Sequence, residues 1–374
     1  MIRFLHTSDL HIGKRFGNFG EDLRFRLREA RHTVLDRLAT AARNGGADLV
    51  LLAGDSFDTE TPSPPMLRQA LAAMGAHRDL TWVILPGNHD SLLADALWDA
   101  ARASLPPNVV LATEPHPHSF GAATILPAPC TTRRPGRDLS EWMDSAATSD
   151  GTIRIGLVHG PVQSFSEEGA GTDILAPDRA GRAGLDYLAL GDWHGQIRIG
   201  ERTWYSGTPE PDRFKHDQPG QALLVALPGP GALPQVTPVE TGSFGWTTLP
   251  LHLLPGEDAA ARAQALLPPG NRRHQLLRIA VEGRTQPAGR AALEAAIAGA
   301  APEFALLELD IKQLATEIET ADLDGIDHAG ALRAAAETLL AESADPARSE
   351  GERATAAGAL MRLFSLSNAV EPHP

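Results

Sequence analysis

The hydrophobic pattern changes period along the chain, and the changes mark its elements. Ile2–Thr7 is a short apolar run of strand length. From Phe25 to Arg43 the apolar positions Leu27, Val34, Leu35 and Leu38 recur at helical spacing, and Asn44-Gly45-Gly46 ends the run. Asp48–Ala53 is continuously apolar, as strands covered on both faces are. Pro64–Gly75 predicts a helix entered through prolines, and Thr81–Leu85 a third strand closed by Pro86-Gly87. Alternation of this kind predicts an α/β sheet. Further strands are expected at Ile153–Val158 and Tyr187–Leu190, with Thr203–Ser206 and Ala222–Leu227 in a second layer and Leu126–Asp138 as an exposed loop.

The composition shifts around Trp246–Gly256. Beyond it, helix Asp258–Leu267, strand Gln275–Val281, helix Ala288–Ala298 and strand Ala305–Ile311 predict a small α/β appendage. Ala-rich helices at about His328–Glu342 and Gly351–Leu366 close the chain. The expected domains are residues 1–248, 249–327 and 328–374, since 374 residues are many for one core.

Polar residues interrupt the pattern at the strand ends. Asp9-Leu10-His11, Gly54-Asp55-Ser56-Phe57-Asp58, Gly87-Asn88-His89-Asp90, His159-Gly160 and Gly191-Asp192-Trp193-His194 each follow or end an expected strand. In open α/β sheets, sites form outside the carboxyl ends of strands. An isolated Asp-x-His is usually a cap or a turn, and Asn88-His89-Asp90 alone could be an Asx turn. Five such motifs in series are hard to obtain from turn chemistry. They supply the oxygen and imidazole donors of a two-metal phosphoesterase site, where paired ions activate water and neutralise the phosphate. Asp9 and His11, two apart, would project together from an extended step. Asp55 would bridge the ions. His89 would face the substrate phosphate, with Asp90 bonded to its ring. The mixed oxygen and nitrogen donors point to Mn²⁺ first, with Fe²⁺, Zn²⁺ or Mg²⁺ as alternatives.

Charge complicates this picture. The net charge is −14 and lysine is confined to Lys14, Lys215 and Lys312, an awkward balance for gripping a nucleic-acid backbone. The basic cluster is Lys14, Arg15, Arg24, Arg26, Arg28 and Arg31, with Arg24, Arg28 and Arg31 on one helix face. It reads either as a solvated face partnered by Glu21, Asp22 and Glu29 or as a substrate contact through Lys14, Arg15, Arg24 and Arg28. A single cysteine, Cys130, excludes internal disulfides and suits a reducing cytosol. No apolar run is long enough for a membrane span and the first motif begins at once, so a cytoplasmic chain without a signal peptide is expected.

The stretches His6-Thr-Ser-Asp-Leu-His-Ile-Gly13, Leu52-Ala-Gly-Asp-Ser-Phe-Asp58, Leu85-Pro-Gly-Asn-His-Asp-Ser91 and His159-Gly160 resemble the calcineurin-like metallophosphoesterase superfamily, and more narrowly the SbcD-type DNA repair exonucleases. The resemblance covers about residues 1–250. It implies a two-layer β-sandwich flanked by helices, with a small α/β capping-type C-terminal domain. It implies one metal on Asp9, His11, Asp55 and His194 and a second on Asp55, Asn88, His159 and Asp192, with His89 acting on the leaving group. It also implies DNA as substrate, a homodimer, and an SMC-like ATPase partner of the SbcC type. The chain lacks a Gly-x-x-x-x-Gly-Lys-Ser/Thr motif of its own, so any ATP-dependent step would need that partner. Where the family has Gly-His-x-His, this chain has Gly191-Asp192-Trp193-His194, an imidazole replaced by a carboxylate. The expected function is an Mn²⁺-dependent DNA nuclease in end processing. The rivals are a small-phosphoester hydrolase, which the acidic charge favours, and a weakly active subunit of an ATPase complex.

Overall fold

A computed structural model describes residues 1–163, 175–316 and 330–369. The first part of the chain alternates strand and helix: β1 (Ile2–Thr7), α1 (Glu21–Asn44), β2 (Leu49–Leu52), α2 (Pro64–Ala76), β3 (Thr81–Ile84), α3 (Asp95–Ala103) and β4 (Val109–Leu111). A second series follows: β5 (His118–Phe120), β6 (Ala123–Ala128), β7 (Ile153–His159), α4 (Arg179–Arg182), β8 (Tyr187–Gly191), β9 (Ile197–Arg198) and β10 (Thr203–Tyr205). The chain then returns through β11 (Gln221–Leu227) and β12 (Gln235–Glu240). Two six-stranded sheets result, ordered β12-β11-β1-β2-β3-β4 and β5-β6-β7-β8-β10-β9.

Side-chain alternation on these strands builds a sandwich. In β2, Leu49 and Leu51 enter the core between the sheets, while Val50 and Leu52 face the other way and meet α1 and α2 residues such as Leu35, Leu38 and Leu71. Both faces are covered, which is why the strand reads as one apolar run. Ile125, Ile155, Leu157 and Tyr187 complete the inner core from the second sheet. Its outer face is covered by Met143, Val162, Leu175 and Ala180. The fold class is therefore α/β, a two-layer β-sandwich flanked by helices.

Two local expectations are corrected. Ala222–Leu227 does not join a second layer; it extends the first sheet, antiparallel to β1, with Ile2 opposite Leu227. Leu126–Ala128 does not open a loop but ends buried β6. Its Pro127 is tolerated because β5 pairs only as far as Ile125, leaving that edge open.

The chain divides into two compact units, Met1–Trp246 and Thr247–Pro374. The second is built on β13 (Gly245–Leu253), α5 (Ala259–Leu266), β14 (Gln275–Thr285), α6 (Pro287–Ala300) and β15 (Leu306–Thr316), in sheet order β13-β14-β15. Leu251, Ile279, Val281, Leu293 and Ile297 form its core. The helices α7 (Ala331–Ala344) and α8 (Glu350–Ala369) pack together through Ala336 and Leu360. The expected helix start at His328 lies outside the described residues. No helix of the described residues is long and apolar enough to cross a membrane.

Candidate metal centre

The motif residues follow the carboxyl ends of β1, β2, β3, β7 and β8, so both sheets contribute to one rim. The loops after β1 and β2 are laced together: Asp9 N donates to Gly54 O at 3.1 Å and His11 N to Asp55 O at 3.0 Å. Asp9, His11, Asp55 and Asp192 all have positive φ, at 56°, 44°, 53° and 107°. Non-glycine residues persist there only where their surroundings over-determine them, and such residues gather at functional sites. The expectation that Asp9 and His11 converge through an extended step is thus corrected; left-handed turns aim them. Glycines give the chain room. A Cβ on Gly54, itself at φ 92°, would collide with the His159 ring, and one on Gly191 with Ala53 O.

Two sets of donor atoms meet here, Asp9/His11/His194 and Asp9/Asp55/His159, each with its atoms within 4.8 Å of one another. The three imidazoles share one design. His11 Nδ1 donates to Asp58 Oδ1 at 3.1 Å, His194 Nδ1 to Asp212 Oδ1 at 3.3 Å, and His159 Nδ1 to Ala53 O at 2.8 Å. An acceptor on Nδ1 fixes the tautomer and leaves Nε2 as the lone-pair nitrogen. All three Nε2 atoms point inward. His11 Nε2 lies 3.2 Å from His194 Nε2 and 3.6 Å from Asp55 Oδ2; His159 Nε2 lies 3.5 Å from Asp55 Oδ1 and 3.8 Å from Asp192 Oδ1.

Lone pairs facing lone pairs and carboxylates, out of water, call for a cation. Two orphaned atoms agree: buried His159 Nε2 and Asn88 Oδ1 have no hydrogen-bond partner. Such atoms are costly unless something satisfies them. The donor set, carboxylate and amide oxygen with imidazole and no thiolate, fits hard to borderline divalent metals. The His159 pKa makes the same point: burial pulls it down, but Asp55, Asp9 and Asp192 outweigh burial and raise it to about 9. A bound cation would displace that proton.

Asp192, on the half-buried side of the cluster, accepts from Asn88 Nδ2 at 3.1 Å, and its own N–H donates to the Asp9 carboxylate at 3.2 Å. His89 is half-buried, its ring edge-on to His11 at 4.8 Å, with Nδ1 bonded to Asp58 O at 3.1 Å. Asp90 does not pair with that ring, contrary to expectation. Its carboxylate is buried and accepts from Gly87 N at 2.6 Å and Phe57 N at 3.0 Å, holding the β2 and β3 loops together. Backbone amides were invisible as competitors in the sequence.

Behind the first set lies a network missed in the sequence. Asp212, which holds His194, also meets Lys14 and the Arg31 guanidinium, the latter at 3.7 Å. Burial raises the Asp212 pKa, but His194, Arg31 and Lys14 together hold it well below the carboxylate range. Arg31 is buried, bonded to Leu10 O and Glu210 O, and so is no part of a solvated face. Glu210 accepts from Ser243 N at 2.7 Å and Phe244 N at 3.0 Å. The usable signal was two carboxylates alternating with prolines in Pro209-Glu210-Pro211-Asp212. Arg15, Arg24 and Arg28 line a separate open groove beside Ile12.

Residues 2–225 match the family model for calcineurin-like phosphoesterase. The chain is 34% identical over 93 residues to the D subunit of nuclease SbcCD from Bacillus subtilis (strain 168), and 37% identical over 99 residues to the Escherichia coli (strain K12) protein of the same name. Each alignment covers 24% of this chain and only 22% of the relative. The DNA double-strand break repair protein Mre11 of Methanosarcina acetivorans is 25% identical over 246 residues, covering 62% of this chain and 37% of that protein. Among solved structures, TT1561 of Thermus thermophilus aligns with a TM-score of 0.41 and 11% identity, over 64% of this chain and 99% of that one.

Proposed function

The chain belongs to the calcineurin-like phosphoesterase family, and from that premise we propose that it is an Mn²⁺-dependent DNA nuclease that hydrolyses phosphodiesters at DNA ends. The observation that carries the metal chemistry is the set of three imidazoles, each tied at Nδ1 and turned with Nε2 toward shared carboxylates. Asp9, His11, Asp55 and His194 would hold one ion, and Asp55, Asn88, His159 and Asp192 the other. Bound there, the ions supply an activated water and neutralise charge on the phosphate.

The chain's own groups do the rest. Asp58 and Asp212 keep His11 and His194 from rotating away, and Asp90 fixes the turn that presents Asn88 and His89. With Nδ1 on Asp58 O, the His89 ring keeps Nε2 for a substrate oxygen. Arg15, Arg24 and Arg28 offer charge to the flanking phosphates, and Lys14 does so at its junction with Asp212. Two relatives are named as subunits of the SbcCD nuclease and a third as a double-strand break repair protein, which favours DNA over other diesters. By the same likeness the chain would act in the cytoplasm as a homodimer with an SMC-like ATPase. The unit from Thr247 onward would serve as a capping domain, and the helices α7 and α8 as a docking element.

A small phosphoester is the competing substrate, favoured by the net charge of −14. The test is Mn²⁺-dependent degradation of linear double- and single-stranded DNA beside hydrolysis of a chromogenic diester. The nuclease reading expects DNA degradation that is lost in His89→Ala. Diester hydrolysis without DNA degradation would establish the small-substrate reading instead.

A further inference from the structure

Helix α1 carries an aromatic ring that the fold leaves in water. Phe25 is 68% exposed, although the same helix buries Leu23, Leu27 and Val34. On either side stand Arg24 and, one turn on, Arg28. With Arg15 these residues line an open groove of about 680 Å³. Its lining includes Ile12 and Thr59, the residues directly after His11 and Asp58. The groove therefore flanks the loops that carry the candidate ligands His11 and Asp55.

The three guanidiniums contrast with others of α1. Further along α1, Arg31, Arg37 and Arg43 are engaged by Asp212, Glu210 and Asp79. Among the described residues no ion pair engages Arg15, Arg24 or Arg28. One carboxylate, Glu21, lines the groove with them. A molecule of net charge −14 that keeps three such arginines around an exposed ring, beside a centre for phosphate chemistry, has a local surface of opposite character to its whole.

We propose that this groove holds a single-stranded nucleic-acid segment next to the scissile phosphate, with a base stacked on Phe25 and backbone phosphates on Arg24, Arg28 and Arg15. The proposal rests on the nuclease reading and names its substrate form. Arginines alone would suit any polyanion. The ring argues for an unpaired base, because bases within a duplex already stack on each other and offer no face. Duplex ends would then have to fray before cleavage.

The test is binding of a fluorescent phosphorothioate oligothymidylate to the full chain with Mn²⁺, followed by anisotropy over a range of salt. Phe25→Ala is safe for the helix, since alanine is the better helix former and the ring is exposed. It should weaken binding at least about fivefold, the low end for a lost base stack, while Phe25→Trp keeps affinity near wild type. Arg24→Gln with Arg28→Gln should flatten the salt dependence by about 1.4 in log–log slope, two single-strand phosphate contacts. Unchanged affinity in Phe25→Ala overturns the proposal. So does an equal loss for inorganic polyphosphate, which has no bases and would indicate a simple basic patch. A change of oligomeric state in Phe25→Ala with oligonucleotide affinity intact also overturns it, the ring then serving a second copy. Wild-type degradation of linear DNA reports separately: its absence defeats the nuclease reading, whereas its presence with indifferent groove variants defeats only the groove.

Discussion

The two halves of the metal centre are held by different means. On the Asp9 side, both rings are oriented by carboxylates, Asp58 on His11 and Asp212 on His194, and Asp212 is itself set among Lys14, Arg31 and Arg213. On the Asn88 side, His159 is oriented by the carbonyl of Ala53, at the end of β2, and Asn88 by Asp192. A carboxylate raises the basicity of its imidazole and can be changed by mutation; a carbonyl is fixed by the strand. Both imidazoles of the first half are tuned by side chains, the imidazole of the second by the sheet.

Asp55 joins the halves, lying 3.6 Å from His11 and 3.5 Å from His159, so its loss should erase the contrast. Asp55→Asn removes the shared charge while keeping the shape. Diester hydrolysis should fall by at least about 10³-fold, the scale of several kcal/mol of metal-derived stabilisation. Metal analysis after dialysis should show both sites depleted. Depletion of one site alone would mean that the halves are independent.

A second link is structural. His6 on β1 bonds Tyr187 Oη at 3.0 Å and Leu190 O at 3.1 Å on β8, bolting one sheet to the other just behind Asp9 and Asp192. Donating to a carbonyl and accepting from a phenol suits the neutral ring. Burial, opposed only in part by the bond to Leu190, pushes its pKa down to about 3. The unfolded chain, with a pKa near 6.5, therefore binds more protons between these values. Stability from this group is complete above about pH 6.5 and is lost as pH falls toward 3. From pH 6.5 to 4.5 the loss should be roughly 2.3 kcal/mol, about 50-fold in the folding equilibrium. Denaturant melts of wild type and His6→Gln over that range should differ in slope; parallel profiles would show that His6 does not titrate on unfolding.

The orienting carboxylate is the next place to press. Asp212→Asn should weaken metal binding about 10–100-fold, as loss of an outer partner does. Because Asn also leaves Arg31 with less compensation, Lys14→Gln is the control: it disturbs the same network without touching the His194 bond. Equal losses in the two would assign the effect to the network's charge and not to ring orientation. On the His159 side no comparable substitution exists, since its partner is backbone.

How far the sequence revealed this depended on the kind of force involved. Strand ends were legible because apolar runs stop where Asp9, Asp55, Asn88, His159 and Asp192 begin, and the sheets then bring those residues together. Asp212 was not, because a carboxylate between prolines has no periodicity and its partner is reached only when the chain returns after β10. Burial of Arg31 was hidden for the same reason: helix spacing says which residues share a face, not which loop will cover it. The positive φ values of Asp9 and His11 had no signal at all, since neither residue is a glycine.

The smallest expected effect concerns Asp192, the residue that departs from the family pattern. Its carboxylate adds charge on the sheet-held side and fixes the Asn88 amide by accepting from Nδ2, so that Asn88 Oδ1 is the atom left over. Asp192→His would supply a softer donor and remove that acceptor. The preference should move from Mn²⁺ toward Zn²⁺, by roughly tenfold or less in relative affinity, because imidazole favours later transition metals. Competition titrations of wild type and variant would measure it. An unchanged preference would mean that Asp192 acts on Asn88 and not on the ion. In that case Asn88→Asp, which cannot donate to Asp192, should disturb the second site more than Asp192→His does.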